Sequence, residues 1–314
     1  MMTDMTKLTF ALILLIYSMV MLIPVQSLGK PADKQKNRHV LLFILENENF
    51  NTVNNDPYFR QLKAQGAWFS NSWSPAQSDG SITHPSYPNY LALVAGDTFD
   101  LTSDDQQDFP TSAPGGKYQT IADLLELQGL TWKSYAQGYP GTSANCFKNK
   151  DNIPTRYARK HVPFLSFKAI TGTSRCGNVV NAQRGFDIFV RSNRLTDLKN
   201  QLPNFSFYTP DMDNDGHNTN LQVASTWLKS ILSPLLENAE FMRDTLIIVT
   251  FDESADHSGP ENGHIFTAMF GPMIKMGEDK TRINHYTVLR TIETLFGLGQ
   301  LTEHDRGEKP LPIS

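Results

Sequence analysis

Apolar residues in this chain fall into short runs separated by amphipathic stretches, and that alternation predicts the architecture. "HVLLFILE" (39–46) is apolar on both faces over one strand length and stops at a carboxylate, as a central strand of a parallel sheet requires. "AWFSNSWS", "LTWKSYAQG", "FSFYTPD", "TLIIVTFDE" and "HIFTAMFGP" read as further strands. Between them, "DPYFRQLKAQG", "YPNYLALVAG", "YQTIADLLELQG", "RLTDLKNQL", "NLQVASTWLKSILSPLLENAEF" and "HYTVLRTIETLFGLG" carry helical spacing, several with a glycine stop. Strands alternating with helices predict an α/β fold: a single domain with a mostly parallel central sheet covered by helices on both faces. The domain is expected over 38–303, with a loose tail at 304–314. Residues 138–192 are rich in Gly, Pro, Ser and Asn and read as an irregular insertion with a lid-like role.

The start of the chain has a different pattern. Lys7 precedes an apolar run from Leu8 to Val25, and Pro24 and Ser27 suit a processing site. Residues 1–27 therefore read as a secretory signal peptide, followed by a polar leader over 28–37, and the protein is expected outside the cytosol. An uncleaved anchor formed by 8–25 is the alternative, since the run approaches a spanning length. The only two cysteines, Cys146 and Cys176, form a disulfide in the simplest reading for an oxidising compartment. A sequon, "NFS", stands at Asn204 beside a predicted strand.

Composition narrows the class without choosing a function. The 314 residues are 39% hydrophobic and 19% charged, which is globular rather than disordered. The net charge of −4 comes with no Lys/Arg run, so stable nucleic-acid binding is not predicted. No obligate protein partner is evident either.

Chemistry concentrates where strands end. Glu46 and Asn47 follow the first strand, Asp211 follows "FSFYTP", and Asp252 and Glu253 close "LIIVTF". One acid after a strand is ordinarily a turn former or helix cap. Three such ends in a parallel sheet converge on one rim, where ligands bind. Clustered carboxylates repel unless a cation neutralises them, and the oxygen-rich set Glu46, Asn47, Asp252 and Glu253 suits a hard divalent ion. "TPDMDNDGHN" holds Asp211, Asp213, Asp215 and His217; it loosely matches a calcium loop, but Gln222 stands where that loop needs its glutamate. His217, His264 and His285 are candidate metal or phosphate contacts.

Ser86 in "HPSYPNYLAL" lies between two prolines where a loop becomes a helix. There a hydroxyl either caps the helix or, beside a cation at the positive helix end, acts as a nucleophile. Asn89, one turn on, can donate to the same anion.

In their order, "ENENF", "HPSYPNYLAL", "RKHVPF", "TPDMDNDGH", "VTFDES" and "HYTVLRTIETLFGL" resemble the landmarks of the phosphoesterase family of bacterial phospholipases C and secreted acid phosphatases, in the alkaline-phosphatase superfamily. The resemblance implies an alkaline-phosphatase-like fold and a secreted, metal-dependent hydrolase of phosphoric esters, working through a phosphoseryl intermediate on Ser86. Glu46, Asn47, Asp252 and Glu253 would hold one divalent ion together with Ser86; Ca, Mg, Mn and Zn are not distinguished. Asn89 and His217 would be catalytic, and His161, Asp215 and His285 would bind substrate. Asp211 and His264 are further candidates for a second metal or a phosphate contact. A small-molecule or lipid phosphoester would be the substrate.

Two departures stand out. The family pattern E-N-x-S-F-D meets Asn49 and Asn51 here, and at about 280 mature residues the chain is expected to lack extra C-terminal domains. A sulfatase is the enzymatic alternative, disfavoured because Tyr90 stands where that branch needs Arg. A Ser–His–Asp esterase is disfavoured because no G-x-S-x-G occurs. A non-catalytic cation-binding protein of the same fold is the third reading.

Overall fold

In the computed structural model, residues 33–149 and 153–313 are described, and they belong to one compact unit. The signal-peptide or anchor segment, with the first half of the polar leader (28–32), lies outside the described residues.

Strand β1 (His39–Leu45) shows why the sheet is central. Its side chains alternate between two cores: Val40, Leu42 and Ile44 enter one, while Leu41, Phe43 and Leu45 enter the other. Such a strand is stable only when helices cover both faces. The remaining strands are β2 (Ala67–Trp73), β3 (Trp132–Ala136), β4 (Val179–Asn181), β5 (Phe205–Thr209), β6 (Thr245–Phe251), β7 (His264–Phe270), β8 (Gly277–Asp279) and β9 (Ile283–Asn284). Their order is β4-β3-β5-β1-β6-β7-β2-β8, with β9 also paired to β2. All neighbours run parallel except at β7, which is antiparallel to β6 and β2. The mostly parallel α/β sheet agrees with the alternation in the sequence.

On one face lie α2 (Ser86–Ala95), α3 (Ile121–Leu127) and α6 (His285–Phe296). On the other lie α1 (Pro57–Lys63), α4 (Leu195–Gln201) and α5 (Leu221–Leu236). Helix α2 is buried along its whole length and ends at Gly96, whose φ of 68° is a left-handed stop that a side chain would disfavour.

Three local results extend the reading of the sequence. The stretch 138–192 holds short helical turns and β4, which lengthens the sheet edge; Cys146 and Cys176 are bonded across it. The C-terminal segment packs against the domain, because Leu311 enters the core and its N–H donates to Thr291 Oγ at 3.0 Å. The Asn204 side chain is buried; its amide donates to the carbonyls of Lys36 and Arg38, and its oxygen accepts from Thr131, so the folded sequon offers no free amide.

Candidate functional site

Strands β1 and β6 are neighbours in register, Leu45 opposite Phe251, so Glu46 and Asp252 leave the same rim side by side. Glu46, Asp252 and Glu253 are all buried, as is Asp215 from the loop after β5. The Glu46 N–H donates to the Asp215 carbonyl at 3.1 Å, bringing that loop in as well.

The Asn47 backbone sits in the left-handed region, at φ 32°, a strained conformation that Asn tolerates better than most residues. What holds it there is its environment: its N–H donates to Asp252 Oδ1 at 3.2 Å and its side-chain amide to Glu253 Oε1 at 3.0 Å. Asn49 and Asn51, the departures from the family pattern, join the same two loops. Asn49 Oδ1 accepts from the Asp256 N–H at 3.0 Å, and the Asn51 amide donates to Glu261.

Ser86 opens α2, and its hydroxyl donates to Glu46 Oε2 at 3.0 Å and lies 3.4 Å from Asn47 Oδ1. No side chain of Pro85 caps this helix. Asn89, one turn later, donates to Glu253 Oε2 at 3.1 Å and to the Thr83 carbonyl at 3.1 Å. The Ser86 hydroxyl, the Asn89 amide and the acids from two strands therefore share one buried volume.

Electrostatics at this rim are unfavourable for the protein alone. Burial pushes the Glu46 carboxyl well above its ordinary range; Asp215 and Glu253 push the same way, opposed by Lys160 and Tyr90. Asp252 is raised by burial and then by Glu46 and Glu253. Asp215 is raised by burial, with Asp252 and Asp211 adding to it against the His217 N–H. Burial drives His161 well below its usual value, so its imidazole is neutral and its 3.2 Å approach to Glu46 Oε1 is not a pairing of full charges. Among the described residues, the buried atoms here without a hydrogen-bond partner include Asp252 Oδ2, Asp215 Oδ2 and His161 Nε2. Orphaned acceptors among mutually repelling acids are the donor set of a divalent cation, so the residues present fit one. Glu46, His161 and Asp215 bring ligand atoms within 4.8 Å of one another, and so do His84, Glu253 and His257.

Other candidates are placed differently. His217 is exposed, its N–H donates to Asp215 Oδ1 at 2.8 Å, and its ring lies 6.5 Å from that of His161. His285 is fully buried with Nε2 on the Asp252 backbone carbonyl at 2.6 Å; burial pulls it to about 4, so it props the β6 turn as a neutral ring. His264 is stacked between Phe50 and Trp73, with Nε2 on the Ser70 carbonyl, and is in neither ligand group. Asp211 closes its own turn, accepting from the N–H groups of Asp213 and Asn214.

Three neighbours escape the strand-end reading. The His84 ring spans Glu253 Oε2 at 2.7 Å and Asn262 Oδ1 at 2.8 Å; burial opposes its protonation, but these two contacts outweigh it and the net shift is upward. Tyr90, one turn beyond Ser86, donates its hydroxyl to Glu46 Oε1 and stacks on His161. Lys160 is the third. His84 and Tyr90 had a signal in their spacing from Ser86, two residues before and four after; Lys160 had only its neighbour His161.

Comparison with known proteins accords with this geometry. A profile described as the phosphoesterase family matches residues 54–299. The chain belongs to the phosphoesterase family. It is 34% identical over 88% of its length to a probable acid phosphatase from Kluyveromyces lactis and 33% identical over 86% to an acid phosphatase from Aspergillus fumigatus. It covers 62% and 57% of those two proteins, so it spans about six-tenths of their length. A phosphatidylinositol-3-phosphatase from Mycobacterium tuberculosis is 30% identical, with 83% of this chain and 77% of that protein aligned. Among solved structures, an alkaline-phosphatase-superfamily protein from Vibrio parahaemolyticus superposes with a TM-score of 0.57 at 17% identity, over 90% of this chain and 72% of the other. The lipoteichoic acid synthase LtaP from Listeria monocytogenes gives 0.51 at 10% identity, over 85% and 73%. At such identities these two establish the alkaline-phosphatase-like fold alone.

Proposed function

We propose that this chain hydrolyses phosphoric esters with Ser86 as the nucleophile, in the manner of the acid phosphatases it resembles. The observation that carries the reading is the Ser86 hydroxyl at the first turn of α2, 3.0 Å from the buried Glu46 carboxylate. Ser86 Oγ attacks phosphorus, its proton passes to the adjacent carboxylate, and the P–O bond to the leaving oxygen breaks, that oxygen taking up the proton as it departs as the alcohol. Water then releases phosphate from the phosphoseryl enzyme and restores the hydroxyl. Asn89 turns its amide to a non-bridging oxygen, and His161, Asp215 and His217 line the approach. Glu46, Asn47, Asp252 and Glu253, with Ser86, would hold one divalent ion, whose unpartnered ligand is Asp252 Oδ2. When bound, such an ion supplies Lewis-acid stabilisation and lowers the pKa of a coordinated hydroxyl. His285, with Nε2 on the Asp252 carbonyl, positions that turn rather than touching substrate.

The proposed setting is secretory, with residues 1–27 removed. The Cys146–Cys176 bond suits an oxidising compartment, and no helix among the described residues is long and apolar enough to cross a membrane. Mass analysis of the exported protein should find a chain beginning near residue 28; a retained N-terminus would favour the anchor reading.

Against a chromogenic aryl phosphate, wild type should turn over and lose activity to a chelator, and Ser86→Ala should be inactive. Retained turnover in Ser86→Ala removes the nucleophile assignment. Hydrolysis of the matching sulfate ester instead would support the sulfatase alternative, and metal-dependent stabilisation with no turnover of either ester the non-catalytic one.

A further inference from the structure

Lys160 is a cation close to the acidic rim that the reading of Ser86, Glu46 and their neighbours leaves without a task. Its side chain is 12% exposed, on the short helical turn Arg159–His161. It pulls down the carboxyls of both Glu46 and Asp215. Burial pulls its pKa down, but Glu46 and then Asp104 outweigh that and the net shift is upward.

Its location relative to the serine follows from Asp104. One oxygen of that carboxylate, Oδ2, accepts from Lys160 Nζ at 2.8 Å; the other, Oδ1, accepts from the N–H of Tyr87 at 3.1 Å. Tyr87 directly follows Ser86. A single small anion thus ties the ammonium to the backbone N–H of the residue that follows the serine. Asp104 itself belongs to the irregular segment between α2 and α3, and its side chain is 37% exposed, with room to yield.

We propose that Lys160 is a further catalytic residue that binds a non-bridging oxygen of the substrate phosphoryl group, and that Asp104 occupies its ammonium until a phosphoester replaces it. The proposal rests on the phosphoester reading above. A buried lysine paired to a half-exposed aspartate could be a mere brace for the 159–161 turn. A brace would not need its carboxylate shared with the N–H of Tyr87, one residue from the nucleophile. Four buried acids around the serine would repel a phosphate dianion, and Lys160 supplies the opposing charge in addition to whatever cation those acids hold.

The test uses the whole chain with Mg, Mn, Ca or Zn at saturation and inorganic phosphate as the probe, titrated calorimetrically. Lys160→Met should raise the phosphate Kd at least tenfold and lower kcat/KM on an aryl phosphate about 100-fold, the usual loss for one preorganised donor. Lys160→Arg, which keeps the charge, should recover most of the phosphate affinity. Asp104→Asn should tighten phosphate binding severalfold, because the competing carboxylate charge is gone. Lys160→Met with a wild-type phosphate Kd overturns the proposal, as does Asp104→Asn that binds phosphate more weakly. Should Lys160→Met fail to fold by circular dichroism, the Asp104→Asn and Lys160→Arg titrations decide. Repeating the titrations on the Ser86→Ala background separates the outcomes: turnover in Ser86→Ala would refute the nucleophile, whereas the phosphate Kd reports on Lys160 regardless.

Discussion

Glu46→Gln should move stability in opposite directions with and without a metal. In the metal-free protein the substitution costs no hydrogen bond. The amide oxygen can still accept from the Tyr90 hydroxyl, and the amide nitrogen can face Ser86 Oγ, which now accepts instead of donating. What disappears is an acid whose pKa is raised by burial and then by Asp215. Such a group binds a proton in the folded state that the unfolded chain gives up, so its contribution falls as pH rises through the window above the unfolded carboxyl value. The slope is at most about 1.4 kcal/mol per pH unit for one group. Metal-free Glu46→Gln should therefore melt above metal-free wild type, by more at pH 8 than at pH 5. With a divalent ion at 100 times its Kd, wild type gains about 2.7 kcal/mol, which is roughly 5–10 °C for a domain of this size. Glu46→Gln, which removes a charged ligand, should gain little. Differential scanning calorimetry across pH, with chelator and with each of several divalent ions, reads both halves. A metal-free mutant that melts below wild type at pH 8, or that keeps the full metal-induced rise, would refute the idea that these acids are strained by one another and relieved by a cation.

Other sites give simpler readouts. Tyr90→Phe removes a charge-assisted hydrogen bond to Glu46 and should weaken divalent-ion binding about tenfold or more, read by calorimetric titration; unchanged affinity would remove Tyr90 from the site. Glu293, buried against Asp305, is pushed up to about 9 by burial first and then by that neighbour. It is protonated when folded at neutral pH, so its stability contribution is full at low pH and lost as pH rises from about 4.5 toward 9. Glu293→Gln should accordingly stabilise at pH 7 by about 3 kcal/mol at most and by nothing near pH 4, which denaturant melts at both values would check. Cys146 and Cys176 close a loop across 30 residues, and Cys176→Ser should cost about 3–4 kcal/mol in the chain-entropy account; a loss under 1 kcal/mol in urea melts would say that the loop is ordered without the bond.

The sequence made some features legible because one local pattern determined them. A strand apolar on both faces, as in residues 40–45, can belong only to a covered sheet, and an acid at its end can lie only on the rim. Glu46 and Asp252 were visible for that reason, and Ser86 because it stands between two prolines where a loop becomes a helix. The short strands β4, β8 and β9 were not, since two or three residues give no period and their pairing comes from neighbours already in place. His285 and His264 look like ligands in the sequence because imidazole is a versatile group; only packing reveals that one props a carbonyl and the other is stacked between Phe50 and Trp73. Asp104 gave no signal at all. An aspartate in a polar segment is unremarkable until the fold sets it between Lys160 and the Tyr87 N–H.

The most direct measurement of the central claim is rapid acid quench of the enzyme during turnover of an aryl phosphate, followed by peptide mass spectrometry. The account predicts phosphate on the serine of the peptide containing "HPSYPNY", absent in Ser86→Ala. Phosphate on a histidine, or turnover with no phosphorylated peptide at any quench time, would contradict it.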